Sequence, residues 1–195
     1  MNKNKELKLI KRLETERLII RPFYPMDLNE FHEYFSIRDV SKDEKSKNLN
    51  KSETKRILMH FVNSNNVYAI VLKNNEKVIG SIELFPNDNN DSQISLGYIL
   101  GKDYWNNGYM TEAIKKIVKY FFTKTNFLSI ESTIFIDNIQ SKRVMEKCGF
   151  RFSKNSELKD PFSNRVQTVN IFILNKPKFY KFSKLFKPKK FPWNK

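Results

Sequence analysis

One cysteine, Cys148, and two histidines, His32 and His60, are all the thiol and imidazole groups in this 195-residue sequence. A lone cysteine forms no intrachain disulfide and no cysteine metal cluster. Two histidines are too few for a histidine-rich metal site. No stretch approaches the roughly 20 apolar residues that span a bilayer. The opening residues, Met1 to Arg12, alternate lysine with scattered leucine and isoleucine and lack the apolar stretch of a secretory signal. No internal repeat is visible. These absences point to a reducing cytoplasm and to a chemistry without a metal.

What is present suffices for one domain with a proper core. Phenylalanine dominates the aromatic residues, with 17 copies. The formal charge of +15 is large and favours polyanionic partners. It is unevenly placed: 176–195 holds eight lysines and no acid, interleaved with Phe, Tyr and Trp. The expected organisation is an N-terminal extension over 1–14, a domain over 15–175 and a basic aromatic tail over 176–195.

The pattern of apolar residues predicts strands at Arg17–Phe23, Val67–Leu72, Val78–Phe85, Gln93–Leu100, Phe127–Ile136 and Val166–Leu174. Helices are expected from Asp27 (Leu28, Phe31 and Phe35 on one face) and from a Ser52 cap (Ile57, Leu58, Phe61 and Val62). The segment 36–51 reads as a loop or an irregular helix. Tyr109–Lys124 is strongly amphipathic, and Asn138 opens a further helix through Cys148. Gly149 then falls where a left-handed residue ends a helix. Three hairpin-linked strands followed by a β-α-β crossover imply a single-domain α/β fold with a mixed, mainly antiparallel sheet flanked by helices.

Two segments carry chemistry. The first is the loop Trp105-Asn106-Asn107-Gly108 leading into Tyr109, Met110 and Thr111. A helix N-terminus offers free N–H groups and a partial positive charge to an anion. Gly108 permits a tight turn and a close backbone approach. The second is Asn138-Ile139-Gln140-Ser141. Asn138 suits a helix cap, or a bond to an amide-bearing ligand at a strand end.

Taken together, GYILGKDYWNNGYMTEA, then N-x-x-S, then MEKCGF, with RLIIRPF near the start, resemble the GNAT acetyltransferases over Thr15 to Leu174. The resemblance is greatest to the branch that includes ribosomal-protein N-terminal acetylases. It implies a sheet splayed between the strands at Gln93–Leu100 and Phe127–Ile136, with the pantetheine of acetyl-CoA in the split. Leu96, Tyr98, Ile99 and Leu100 would then line the cofactor arm. The Asn106–Ala113 segment matches the pyrophosphate loop, where Trp105, Asn106, Asn107, Gly108, Tyr109, Met110 and Thr111 are implied contacts. Asn138, Ser141 and Lys147 complete the implied cofactor set. Trp105, Asn106 and Met110 depart from the usual loop, Q/R-x-x-G-x-G/A, and their side chains are expected to narrow the phosphate turn. Met145 stands where many members carry the tyrosine that protonates the departing thiolate, which leaves Ser141 as the acid.

Acetyl transfer to an amine needs a proton acceptor. Glu83, on a strand where a carboxylate can face the site, is the first candidate. Glu131, Asp137 and a water held by backbone carbonyls are the others. Direct attack needs no covalent intermediate, so Cys148 is expected to be inert. The expected acceptor is a protein N-terminus, with small amines and aminoglycosides as alternatives. Asp88 and Asp91 could meet a cationic acceptor or simply form a turn. A non-catalytic acyl-CoA binder and an RNA-binding protein are the rival classes. The tail suits RNA, a ribosome or an anionic membrane, and the protein is expected to be a monomer or homodimer.

Overall fold

The computed structural model describes residues 10–36, 48–87, 90–159 and 166–177. Among these residues eight strands form one open sheet: β1 (Leu13–Glu14), β2 (Leu18–Pro22), β3 (Val67–Leu72), β4 (Val78–Pro86), β5 (Gln93–Leu100), β6 (Ser129–Phe135), β7 (Arg151–Lys159) and β8 (Val166–Asn175). Their spatial order is β1-β2-β3-β4-β5-β6-β8-β7. Every neighbouring pair is antiparallel except β5 with β6, which is parallel. Among the described residues four α-helices flank it: α1 (Leu28–Phe35), α2 (Lys51–Asn63), α3 (Tyr109–Lys124) and α4 (Ile139–Lys147). The expected mixed sheet in an α/β domain is therefore what forms. No described helix is long and apolar enough to cross a membrane.

The two faces of the sheet bury different cores. One holds Ile70, Ile82, Leu84 and Leu96 against Ala113, Ile114, Ile117, Val118 and Phe121 of α3. That α3 stripe is the one its period predicts. The other holds Val67, Ala69 and Val71 against Phe31, Leu58 and Phe61 of α1 and α2. Rings pack there edge-on, as Phe23 does on Phe31 at 5.4 Å between centroids.

Several local expectations need correction. Asn50, not Ser52, caps α2: its side-chain oxygen accepts the Glu53 N–H at 3.0 Å, and the Glu53 carboxylate accepts the Asn50 N–H at 2.8 Å. This reciprocal pair satisfies two donors that Ser52, already inside the helix, cannot reach. Asp27 begins α1 without a side-chain cap bond. Its carboxylate instead takes two bonds from Arg21, at 2.7 and 2.8 Å, and one from the Tyr24 N–H. Strand β7 is absent from the sequence reading. Its residues, RFSKNSELK, are exposed on both faces apart from a half-buried Ser156, so no alternation marks it. It exists because β8 offers an edge. Of the 36–51 segment, 37–47 lies outside the described residues, as do Asp88 and all of the tail beyond Pro177.

Candidate active site

The parallel pairing of β5 with β6 covers only Gln93↔Ser129, Ile94↔Ile130 and Ser95↔Glu131. Beyond Ser95 the two strands part. β5 goes on pairing with β4 as far as Leu100↔Gly80, and β6 with β8 as far as Phe135↔Val169. The sheet thus forks between Leu96–Leu100 and Ser132–Phe135. At the crotch, the buried Ser132 hydroxyl donates to the Leu96 carbonyl at 2.9 Å, replacing the lost ladder bond.

Peptide direction along the fork follows from the antiparallel ladder. The Gly101 N–H bonds the Ile79 carbonyl at 2.9 Å, so by alternation Ile99 and Gly97 also turn their peptide groups to β4. Leu96, Tyr98 and Leu100 turn theirs away, into the split. Side chains take two of those carbonyls: Ser132 that of Leu96, and the Trp105 indole N–H that of Leu100 at 2.8 Å. Between them, the Tyr98 peptide faces the gap. Its phenol reaches across to the Ser141 carbonyl at 3.2 Å.

At the mouth of the fork lies the loop before α3. Asn106 and Gly108 both have left-handed backbone, φ +61° and +79°. Gly108 is the N-cap of α3, and as glycine it gives no side-chain cap. The first helical N–H with a backbone acceptor is that of Glu112, bonded to the Gly108 carbonyl at 3.0 Å. The preceding N–H groups are therefore the uncapped donors that suit a phosphate. An open pocket of about 360 Å³ adjoins them, lined by Gly108, Thr111, Lys115 and Lys147 among others. Two of the loop's unusual side chains, Trp105 and Met110, leave this turn clear. Trp105 folds back onto the end of β5 through its indole bond, and Met110 is buried in the core at 4% exposure. Asn107 donates to the Trp105 carbonyl at 2.9 Å.

Asn138 caps α4, its side-chain oxygen accepting the Ser141 N–H at 2.9 Å. The free cysteine is buried. Burial pushes the Cys148 thiol up to about 12, despite the lowering effect of the Lys115 charge, so almost no thiolate exists at neutral pH. Helix α4 ends as expected, with Gly149 at φ +88° and Phe150 buried.

The candidate bases separate. Glu83 on β4 is paired directly with Gly97 of β5. A Cβ at Gly97 would lie 3.8 Å from that of Glu83 and 3.8 Å from the Phe85 ring, so the missing side chain leaves room beside the Glu83 side chain. Burial raises the Glu83 pKa above the ordinary carboxylate range. Glu131 sits instead at the closed end of the fork, where it accepts a 3.0 Å bond from Gln93. Asp137 is exposed beyond the end of β6.

The sequence reading missed Arg17. It precedes β2, yet it bonds both the Asn107 carbonyl and the Glu112 carboxylate. Only its place at the head of the RLIIRPF run hinted at a role.

The profile of the acetyltransferase (GNAT) domain matches residues 17–151. The uncharacterized N-acetyltransferase YnaD of Bacillus subtilis is 31% identical over 144 residues, covering 71% of this chain and 82% of that protein. The uncharacterized N-acetyltransferase p20 of Bacillus licheniformis is 24% identical over 169 residues, 84% of this chain and 94% of that one. Among solved structures, a GNAT-family acetyltransferase from Bacillus anthracis superposes with a TM-score of 0.74 at 25% identity, covering 85% of this chain and 99% of that one. A ribosomal-protein-S5-alanine acetyltransferase from Vibrio fischeri gives 0.67 at 18% identity, covering 85% and 96%.

Proposed function

The chain belongs to the GNAT acetyltransferase family and is an acetyl-CoA-dependent N-acetyltransferase; on that premise we propose that the fork between β5 and β6 receives the acetyl-CoA arm, that Glu83 is the base, and that the acceptor is a protein N-terminus. The observation that carries this reading is the fork itself, with uncapped α3 N–H groups at its mouth and a half-buried carboxylate on the neighbouring strand.

The residues fit the cofactor. Uncapped donors at Asn106–Thr111 suit a diphosphate, and Lys115 and Lys147 beside them add positive charge. The Tyr98 peptide, turned into the split, suits the amide-bearing pantetheine and the oxygen of the thioester. Asn138 adds a side-chain amide at the same edge. Bound acetyl-CoA supplies an activated acyl group on a thiol leaving group.

Glu83 takes a proton from the acceptor ammonium, the freed nitrogen lone pair forms the C–N bond as the C–S bond breaks, and the second proton that the nitrogen sheds passes to the departing sulfur or to water. The Tyr98 N–H stabilises the negative charge that develops on the carbonyl oxygen. The sulfur departs with the electron pair. Ordinary thiols have a pKa of about 8.5, so the thiolate leaves without much help, and Ser141 supplies at most a proton through water.

A protein N-terminus is favoured by the resemblance to ribosomal-protein acetylases, by the fold shared with the Vibrio fischeri enzyme, and by the +15 charge. Such charge would bring the enzyme to ribosomal RNA, with the lysine-rich segment 176–195 as the arm. Calorimetric titration with acetyl-CoA, followed by thiol release across N-terminal peptides, spermidine and aminoglycosides, tests the reading. Micromolar binding and turnover of peptides are expected. Turnover of small amines alone would move the acceptor to that class, and binding without turnover of any amine would remove the catalytic role of Glu83.

A further inference from the structure

Helix α3 carries a carboxylate, Glu112, in its first turn. The partial positive charge there stabilises an acid, but the same charge is what a diphosphate would use. A bare Glu112 would compete with the phosphate and repel it.

Arg17, 95 residues earlier in the chain, cancels that charge. Its Nε donates to Glu112 Oε2 at 2.8 Å, and its Nη2 lies 2.7 Å from the same oxygen. Its backbone N–H donates to Oε1 at 2.9 Å. The guanidinium has two further contacts on the loop. Nη1 donates to the Asn107 carbonyl at 3.1 Å, and the group lies 4.5 Å over the Tyr109 ring. A Cβ at Gly108 would sit 3.6 Å from Nη2. Arg17 is itself held by its own carbonyl, which accepts the Lys73 N–H at 3.0 Å. Burial alone would raise the Glu112 pKa, yet bonds from Thr15 and Arg17 and the Arg17 charge hold it below the ordinary range. The carboxylate is thus ionised and fully engaged.

We propose that Arg17 is a positioning residue for acetyl-CoA: it neutralises Glu112 at the α3 N-terminus and ties back the Asn107 carbonyl, so that the loop presents N–H groups to the pyrophosphate without competition from that helical acid. This rests on the assignment of the Asn106–Ala113 loop to the cofactor. A salt bridge that merely joined β2 to α3 would affect stability and leave cofactor affinity alone.

The test is titration of acetyl-CoA into the intact protein and its Arg17→Met, Glu112→Gln, Arg17→Met/Glu112→Gln and Gly108→Trp variants, with thermal melts alongside. Arg17→Met is expected to weaken binding about 10-fold or more, since it unmasks one charge beside a polyanion. Glu112→Gln is expected to bind as tightly as the parent or tighter. The double variant is expected to regain most of the lost affinity, because the carboxylate that Arg17 screens is gone as well. Arg17→Met binding within about 3-fold of the parent overturns the proposal, and so does a double variant as weak as Arg17→Met. If Arg17→Met does not fold, Glu112→Gln decides alone: a 10-fold loss there refutes the screening role. Loss of binding on Gly108→Trp with Arg17→Met unaffected sinks this inference but keeps the cofactor site. No binding by the parent removes the site and the proposal with it.

Discussion

The Tyr98 hydroxyl donates to the Ser141 carbonyl at 3.2 Å, across the gap where β5 and β6 have separated. It ties the free half of β5 to the first turn of α4, whose cap is Asn138. One phenol therefore joins a β5 residue that the resemblance places along the cofactor arm to the Asn138–Ser141 segment. Burial raises the Tyr98 pKa, so this phenol remains protonated as a donor. Tyr98→Phe keeps the ring and removes the bond, and a stability loss of about 1 kcal/mol is expected in urea unfolding. An unchanged midpoint would mean that the bond contributes nothing across the split.

Glu83→Gln keeps the shape of the side chain and removes its ability to accept a proton. A fall in kcat of about 100-fold or more is expected if this residue is the base. In the parent, activity should rise with pH through the raised Glu83 pKa, and that limb should vanish in the variant. Stability has the opposite sense. A carboxyl whose folded pKa is raised binds more protons folded than unfolded, so its contribution is fully present below the unfolded pKa and is lost as pH rises through the folded one. Glu83→Gln should therefore melt at or above the parent temperature at pH 7, with the gap closing toward pH 4. Equal turnover in parent and variant would return the role to a water.

Asn138 caps α4 and, in the proposed reading, also bonds the cofactor arm; different substitutions separate the two. Asn138→Ala loses the cap to the Ser141 N–H and should cost about 1 kcal/mol. Asn138→Asp keeps a cap oxygen but has no amide donor. Its melting temperature should stay near the parent's while acetyl-CoA binding weakens several-fold. Parental affinity in Asn138→Asp would leave this residue as a cap alone.

Gly80 faces the backbone of β5, where an added Cβ would lie 2.4 Å from the Ile99 carbonyl oxygen and 3.2 Å from the Leu100 Cα. Backbone cannot rotate away as a flexible side chain can. Gly80→Ala should destabilise by about 3 kcal/mol and shift the strand that lines the split. Denaturation midpoints and cofactor affinity, read together, check this, and both should fall.

Cys148 is buried and its thiol is pushed up to about 12. Native protein at pH 8 should resist alkylation, and Cys148→Ala should retain the parental kcat at some cost in stability. Rapid labelling with loss of activity would show a thiolate that this environment does not favour.

Much of the fold was legible because periodicity records burial. The α3 stripe, the buried runs of β3 to β5, and Gly149 ending α4 at φ +88° are each written in local spacing. The site was legible in part, as two segments with the right chemistry. Trp105 and Met110 were expected to crowd the phosphate turn, yet one bonds the end of β5 and the other enters the core. Side-chain direction depends on neighbours that spacing does not reveal.

The sequence by itself determined the alternation of strands and helices, the amphipathic α3 and the glycine that opens it, because these depend on residues within a turn or two. Only the tertiary structure decided where β5 and β6 part, that Glu83 rather than Glu131 has open space beside it at Gly97, that β8 gives the polar β7 an edge, and that Arg17 reaches the α3 N-terminus. Each joins residues far apart in the chain, so packing and charge across the fold, and not local propensity, set it.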